Sequence, residues 1–122
     1  MKEKQLQDIT ALYGRLSRDD EVGGESMSIQ SQRAILGQYA KEHGFTNCQF
    51  FMDDGYSGTN FDRPAFTEMM ELVEQRRVRT IIVKALSRLG RNYLEVGRYT
   101  EVIFPENKVR FIAITDGVDS AA

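Results

Sequence analysis

The run Thr80-Ile81-Ile82-Val83 constrains this chain more than any other stretch. It is β-branched, short, and shows no alternation of polar and apolar side chains, which marks a strand buried on both faces. Strands of that kind belong to parallel sheets, and parallel neighbours need helical crossovers packed on the sheet. The rest of the sequence supplies them. Residues 6–13, with Ile9, Ala11, Leu12 and Tyr13, predict a first strand that runs on toward Arg15 and Ser17. Residues 18–25 are acidic and glycine-bearing, which predicts a loop. Ser26 or Ser28 can cap a helix that runs to Glu42, with Ile29, Gln32, Leu36, Tyr39, Ala40 and His43 on one face and Gly44 as its stop.

Residues 48–52 predict a second strand and residues 53–60 a turn-rich loop. Pro64 suits the first turn of a helix whose apolar stripe is Phe66, Met69, Met70 and Val73. After the run at 80–83, residues 84–92 read as a loop or a short helical turn. Residues 93–104 read as a helix stopped by Pro105, and residues 110–114 as a fourth strand before Thr115-Asp116-Gly117. The order β-α-β-α-β-α-β predicts an α/β fold in three αβα layers. Its mainly parallel sheet has four to five strands and helices on both faces.

A length of 122 residues suits one domain. No apolar run reaches membrane-spanning length and the polar start is unlike a signal peptide, so no membrane partner is expected. One cysteine, Cys48, precludes an internal disulfide, suits a cytoplasmic setting, and reads as a small strand residue. The net charge of −2 conceals an uneven spread: residues 76–98 hold seven basic residues and one acid, a local charge of +6. That segment predicts an anionic partner for one face of the domain.

Ligands of α/β sheets bind at the carboxyl ends of the strands. By this rule Arg15 and Ser17, Asp53, Asp54 and Arg63, Lys84, Ser87, Arg88 and Arg91, and Thr115 and Asp116 share one edge. The only histidine, His43, lies near the far end of its helix, so a Ser-His-Asp triad has no base and His43 reads as structural. Zinc-type Cys and His groupings, convergent carboxylates for two metals, and glycine-rich phosphate loops are all missing from the sequence. What remains is hydroxyls among arginines. Guanidinium groups fork onto phosphate oxygens and stabilise a phosphoryl transition state, and a serine in their field is a candidate nucleophile. The expectation is metal-free phosphoryl transfer to Ser17.

These pieces resemble the catalytic domain of the serine recombinases, the resolvase and invertase family. Tyr13-Gly14-Arg15-Leu16-Ser17 matches the family's Tyr-x-Arg-x-Ser opening, and Ser28-Ile29-Gln30-Ser31-Gln32 its helix start. Gly55-Tyr56-Ser57-Gly58 with Asp62-Arg63-Pro64 resembles its arginine-bearing loop, and Lys84-Ala85-Leu86-Ser87-Arg88-Leu89-Gly90-Arg91 its most recognisable block. The Glu-Ser-Met-Ser-Ile segment after the acidic insert is most like the large serine recombinases of mobile elements. The resemblance implies that Ser17 attacks a DNA phosphodiester and forms a 5′-phosphoserine, with Arg15, Gln32, Arg63, Arg88 and Arg91 as catalytic partners. Tyr13, Ser87 and Lys84 support them, with Arg15 as a phosphate clamp.

The resemblance also implies no cofactor and no metal, DNA contacted through its phosphate backbone at a crossover site, and a homo-dimer or tetramer of the full-length protein. Residues 1–122 would be the N-terminal catalytic domain, cut before a long dimerisation helix and DNA-binding domains. Such a fragment would bind DNA weakly and not recombine it. One departure stands out: Ser87 and Asn92 occupy positions where many members carry aspartate.

Two rivals remain, a catalytically inactive partner-binding homologue and a receiver-like signalling domain phosphorylated on Asp53 or Asp54. A receiver places its acidic pair after the first strand and its acceptor after the third, where this chain has Arg15-Leu16-Ser17 and Lys84-Ala85-Leu86. Acetyl phosphate followed by mass spectrometry separates them: the recombinase reading expects no acyl phosphate, and modification of Asp53 or Asp54 would favour the receiver.

Overall fold

The computed structural model describes residues 9–16, 28–56 and 61–121. Strand β1 (Ile9–Leu16) is followed by helix α1 (Ile29–Glu42), β2 (Cys48–Asp54), α2 (Pro64–Glu74) and β3 (Val78–Val83). Then come the short α3 (Leu86–Leu89), α4 (Tyr93–Arg98), a π-helical turn (Tyr99–Ile103), α5 (Phe104–Glu106), β4 (Arg110–Ala113) and β5 (Val118–Asp119). The loop expected at 18–25 and the cap at Ser26 lie outside the described residues, as do residues 6–8 and 57–60.

The strands form one sheet in the order β2-β1-β3-β4-β5. The first four run parallel, and β5 pairs antiparallel with β4. This is the three-layer α/β architecture that the sequence predicts, with a short fifth strand after the Thr115–Gly117 turn. Alternation along each strand sorts the core. Leu12, Ile82 and Ile112 face α1, where they meet Leu36 and Ala40. Ala11, Tyr13, Ile81, Val83 and Phe111 face the other way, against Phe66, Met69, Val73 and Phe104. Of the predicted α2 stripe, Phe66, Met69 and Val73 are enclosed and Met70 is half-buried, and each enclosed side chain contributes about 1.5–3 kcal/mol by leaving water.

Ser28 caps α1, its hydroxyl accepting from Ser31 N–H at 3.0 Å. Of the face predicted for α1, Gln32, Leu36 and Ala40 are buried, whereas His43 is exposed, stacked on Tyr39 and bonded to its carbonyl. Cys48 begins the edge strand β2 and is exposed.

Strand β3 begins two residues earlier than expected and β4 ends one residue sooner, and two further boundaries differ. Pro105 does not stop the third long helix, which continues to Glu106 through the π turn. There the Phe104 N–H bonds Tyr99 five residues back. The wider turn absorbs a proline whose ring would press on the carbonyl four residues earlier and whose nitrogen donates nothing. Strand β2 also runs two residues further, through Asp53 and Asp54, in register with Arg15 and Leu16. Successive side chains of a strand point to opposite faces, so Asp54 is exposed and Asp53 buried.

Asp53 tolerates burial because three donors meet it. Its carboxylate accepts from Ala65 N–H at 2.8 Å, Phe66 N–H at 2.9 Å and the Tyr13 hydroxyl at 2.8 Å. The first two are open N–H groups at the start of α2, whose own N-cap residue, Arg63, makes no side-chain cap bond. A strand-end carboxylate thus caps the next helix and complements its dipole. Asp53→Ala should cost about 2–4 kcal/mol, from a lost cap plus an unmet buried hydroxyl, and lower the urea midpoint accordingly.

Candidate functional site

The carboxyl edge of the sheet is organised by the backbone of Arg15. Pairing of β1 with β3 ends at Tyr13 opposite Val83, so Arg15 has no strand neighbour on that side. The side chain of Gln32 takes the vacant place. Its amide oxygen accepts from Arg15 N–H at 3.1 Å and its amide nitrogen donates to Arg15 C=O at 3.0 Å, imitating one rung of a ladder. Gly14 makes room for it: a Cβ there would sit 2.8 Å from the Gln32 amide oxygen and 2.7 Å from the Met52 sulfur. The need is for space, since Gly14 is an ordinary strand residue.

Arg15 is fully buried, and its guanidinium reaches across to the next loop. Nε donates to Arg88 C=O at 3.3 Å, Nη1 to Tyr56 C=O at 3.3 Å, and Nη2 to Ser87 C=O. Arg88 returns the contact, its Nη1 donating to Arg15 C=O at 3.4 Å. Residues from β1, α1, the segment after β2 and the segment after β3 are therefore tied at one point.

A second buried arginine lies beside it. Arg63 is fully buried, donates from Nη1 to the Tyr13 hydroxyl at 2.9 Å, and lies over the rings of Phe61 at 4.4 Å and Phe66 at 5.3 Å. Burial pushes the Tyr13 phenol well above its ordinary range, although Arg63 pulls the other way, so Tyr13 stays protonated and donates to Asp53. The chain Arg63–Tyr13–Asp53 links the loop before α2 to the ends of β1 and β2.

Among the residues singled out from the sequence, Arg15, Gln32 and Arg88 are joined directly, as are Tyr13 and Arg63. Arg88 is buried in the short helix α3, Lys84 is half-buried, and Ser87 and Arg91 are exposed. Ser17 follows Leu16, the last residue of β1, and lies outside the described residues. Thr115 and Asp116 serve the same loop: Thr115 donates from its hydroxyl to Lys84 C=O at 3.0 Å, and Asp116 accepts from Leu86 N–H at 2.6 Å.

Three contributors carry no local signal in the sequence. They are the capping role of Asp53, the carbonyl of Tyr56, and Gly90, where a Cβ would lie 2.7 Å from the Phe61 ring. Each is defined only by a partner distant in sequence. Chemically the edge presents cations around the end of β1, suited to holding an anion and stabilising charge that develops on it. Among the described residues no three of His, Cys, Asp and Glu gather into a metal-holding set, and no helix is long and apolar enough to cross a membrane.

The basic run at 76–98 does not make one face. Strand β3 passes through it, leaving Arg76, Arg77 and Arg79 at the amino edge of the sheet and Lys84, Arg88 and Arg91 at the carboxyl edge. At about 3.3 Å per residue, the two groups stand roughly 15–20 Å apart.

Comparison with known proteins follows these features. Residues 10–122 match the family described as Resolvase, N terminal domain. The N-terminal catalytic domain of TP901-1 integrase superposes with a TM-score of 0.83 at 27% identity, over 94% of this chain and 83% of that one. A resolvase family site-specific recombinase from Streptococcus pneumoniae gives 0.74 at 28%, over 93% and 76%. The C-terminal catalytic domain of ISC1926 TnpA, an IS607-like serine recombinase, gives 0.70 at 25%, over 87% and 67%. The uncharacterized immunity region protein 3 of Bacillus phage phi105 is 30% identical over 64 residues, 52% of this chain and 77% of that protein. A domain match over nearly the whole chain, together with superposition on such domains, places this protein in the resolvase N-terminal domain family of serine recombinase catalytic domains.

Proposed function

We infer that this domain cleaves and rejoins DNA strands at a crossover site, with Ser17 as nucleophile. The Ser17 oxygen forms a bond to phosphorus and the bond from phosphorus to the 3′-oxygen breaks. The serine proton ends on the released 3′-hydroxyl, and a 5′-phosphoserine holds the other end. Reversal of the same step on a new 3′-hydroxyl rejoins the strand. Several copies acting on one DNA assembly, with the backbone phosphates as the ligand, complete the reading.

The observation that carries it is the double grip on Arg15, two residues before Ser17, by Gln32 and Arg88. It fixes the direction in which β1 ends and brings the arginine loop to that end. With three of its five N–H donors on carbonyls and its side chain fully buried, Arg15 is best assigned to positioning, as are Gln32, Tyr13 and the enclosed Arg63. Arg88 and Arg91, aided by Lys84, are assigned to the phosphate. The receiver reading lacks an acceptor at Asp53, which is enclosed and already meets three donors.

Incubation of the full-length protein in EDTA with a nicked duplex that carries its crossover sequence should trap a covalent protein–DNA adduct. The adduct should vanish in Ser17→Ala and persist in Ser87→Ala; loss in Ser87→Ala alone would move the nucleophile. An inactive homologue would give none.

Positioning and phosphate contact are separable. Arg15→Lys strands buried carbonyls and should cost about 2–3 kcal/mol in urea unfolding along with adduct formation. Arg91→Gln, at an exposed position, should change stability by less than about 0.5 kcal/mol yet slow adduct formation by about 100-fold. Equal stability losses in both variants would refute the division.

A further inference from the structure

We propose that Asp116 is a positioning residue for strand cleavage, which sets where Arg88 and Arg91 stand by holding the start of α3. The proposal rests on the assignment of those two arginines to the phosphate. Both depend on one short element. Helix α3 is four residues long, carries Arg88 within it, and ends at Gly90, one residue before Arg91. A single turn has too few internal bonds to fix its own direction, so its direction comes from its neighbours.

Near its carboxyl end the neighbour is Arg15, whose guanidinium donates to the Ser87 and Arg88 carbonyls. At its amino end the helix has no cap of its own, because Ala85, the N-cap residue, makes no side-chain cap bond. The turn after β4 supplies one. Asp116 accepts from Leu86 N–H, the first of the helix, at 2.6 Å. Beside it Thr115 brings two donors to Lys84 C=O, its N–H at 2.8 Å and its hydroxyl at 3.0 Å. Ile114 N–H bonds Val83 C=O at 3.0 Å in the same run. Residues 114, 115 and 116 thus carry the β3–β4 pairing past its last rung, Val83 opposite Ala113, and up to the helix.

The turn that presents these groups is itself held. Gly117 closes it with a φ of +66°, and the Gly117 N–H bonds Ile114 C=O at 3.3 Å. Beyond it β5 pairs with β4, Ser120 bonds Phe111 through both its N–H and its hydroxyl, and Arg110 donates to both oxygens of Asp119. Asp116 is exposed, so its side chain adds nothing to the core. An acid at this edge also weakens the field that the arginines offer a phosphate, so its contribution is placement and not charge. Small displacements matter here, because an error of about 1 Å at a reacting centre can cost about 100-fold in rate.

Single-turnover adduct formation by full-length Asp116→Ala and Asp116→Asn on the nicked duplex tests the proposal. In Asp116→Ala the limiting rate at saturating DNA should fall about 10- to 100-fold, while the DNA concentration for half-maximal rate changes by less than about twofold. Asp116→Asn keeps an acceptor without the charge and should stay within about threefold of the parent. Hydrogen exchange of the same full-length proteins, read by mass spectrometry, reports the anchor without DNA. Peptides covering residues 84–91 should exchange about fivefold faster in Asp116→Ala, and those covering β3 should not change. Equal rate losses in both variants, a parental rate in Asp116→Ala, or unchanged exchange at residues 84–91 would each overturn the proposal. Absence of an adduct from the parent would overturn the cleavage reading instead, and the exchange result would still decide whether Asp116 anchors α3.

Discussion

Much of the site depends on how one buried guanidinium is satisfied. A charge taken out of water is costly unless its donors are met, and an orphaned donor or carbonyl forfeits its hydration outright. Arg15 meets this demand with carbonyls from two segments, after β2 and after β3, so the same contacts that make its burial tolerable also fix those segments against β1. Because carbonyls are neutral acceptors, the contacts add no negative charge to the site. Lysine could not replace it: a single ammonium cannot reach three carbonyls in a plane.

Arg63 sits in a different setting. The rings of Phe61 and Phe66 flank it, and the Tyr13 hydroxyl that accepts from its Nη1 donates in turn to Asp53. Asp53 in turn is anchored by the first N–H groups of α2. The charge, the helix dipole and the strand end are thus coupled through bonds that exclude water, where each is stronger than it would be at the surface. A disturbance at any of the three residues is felt by the other two.

The sheet also acts as a spacer. A six-residue strand through the middle of a basic run splits one cationic segment between two edges facing opposite ways. One adjoins the chemistry expected at Ser17. At the other, Arg110 arrives from a different part of the chain already paired with Asp119. Linear charge density therefore overstates the field at either edge.

The parallel sheet, its crossovers and its apolar stripes were legible because period-two and helical patterns are local. Residues 80–83 and the stripe Phe66, Met69 and Val73 declare their surroundings by composition. Arg15, Gln32, Arg63, Arg88 and Arg91 were legible as candidates, through spacing and family resemblance. Their burial and bonding partners were not, because those are tertiary facts. Nothing near Arg15 in sequence indicates that its guanidinium meets carbonyls 41, 72 and 73 residues away. Nor does anything near Pro105 announce the π turn that carries the helix past it. The sequence by itself determined the layers and the chemistry available at their edge. Only the tertiary structure decided which of those cations are enclosed and bonded to carbonyls and which stay at the surface, because that choice is made by acceptors brought from distant parts of the chain.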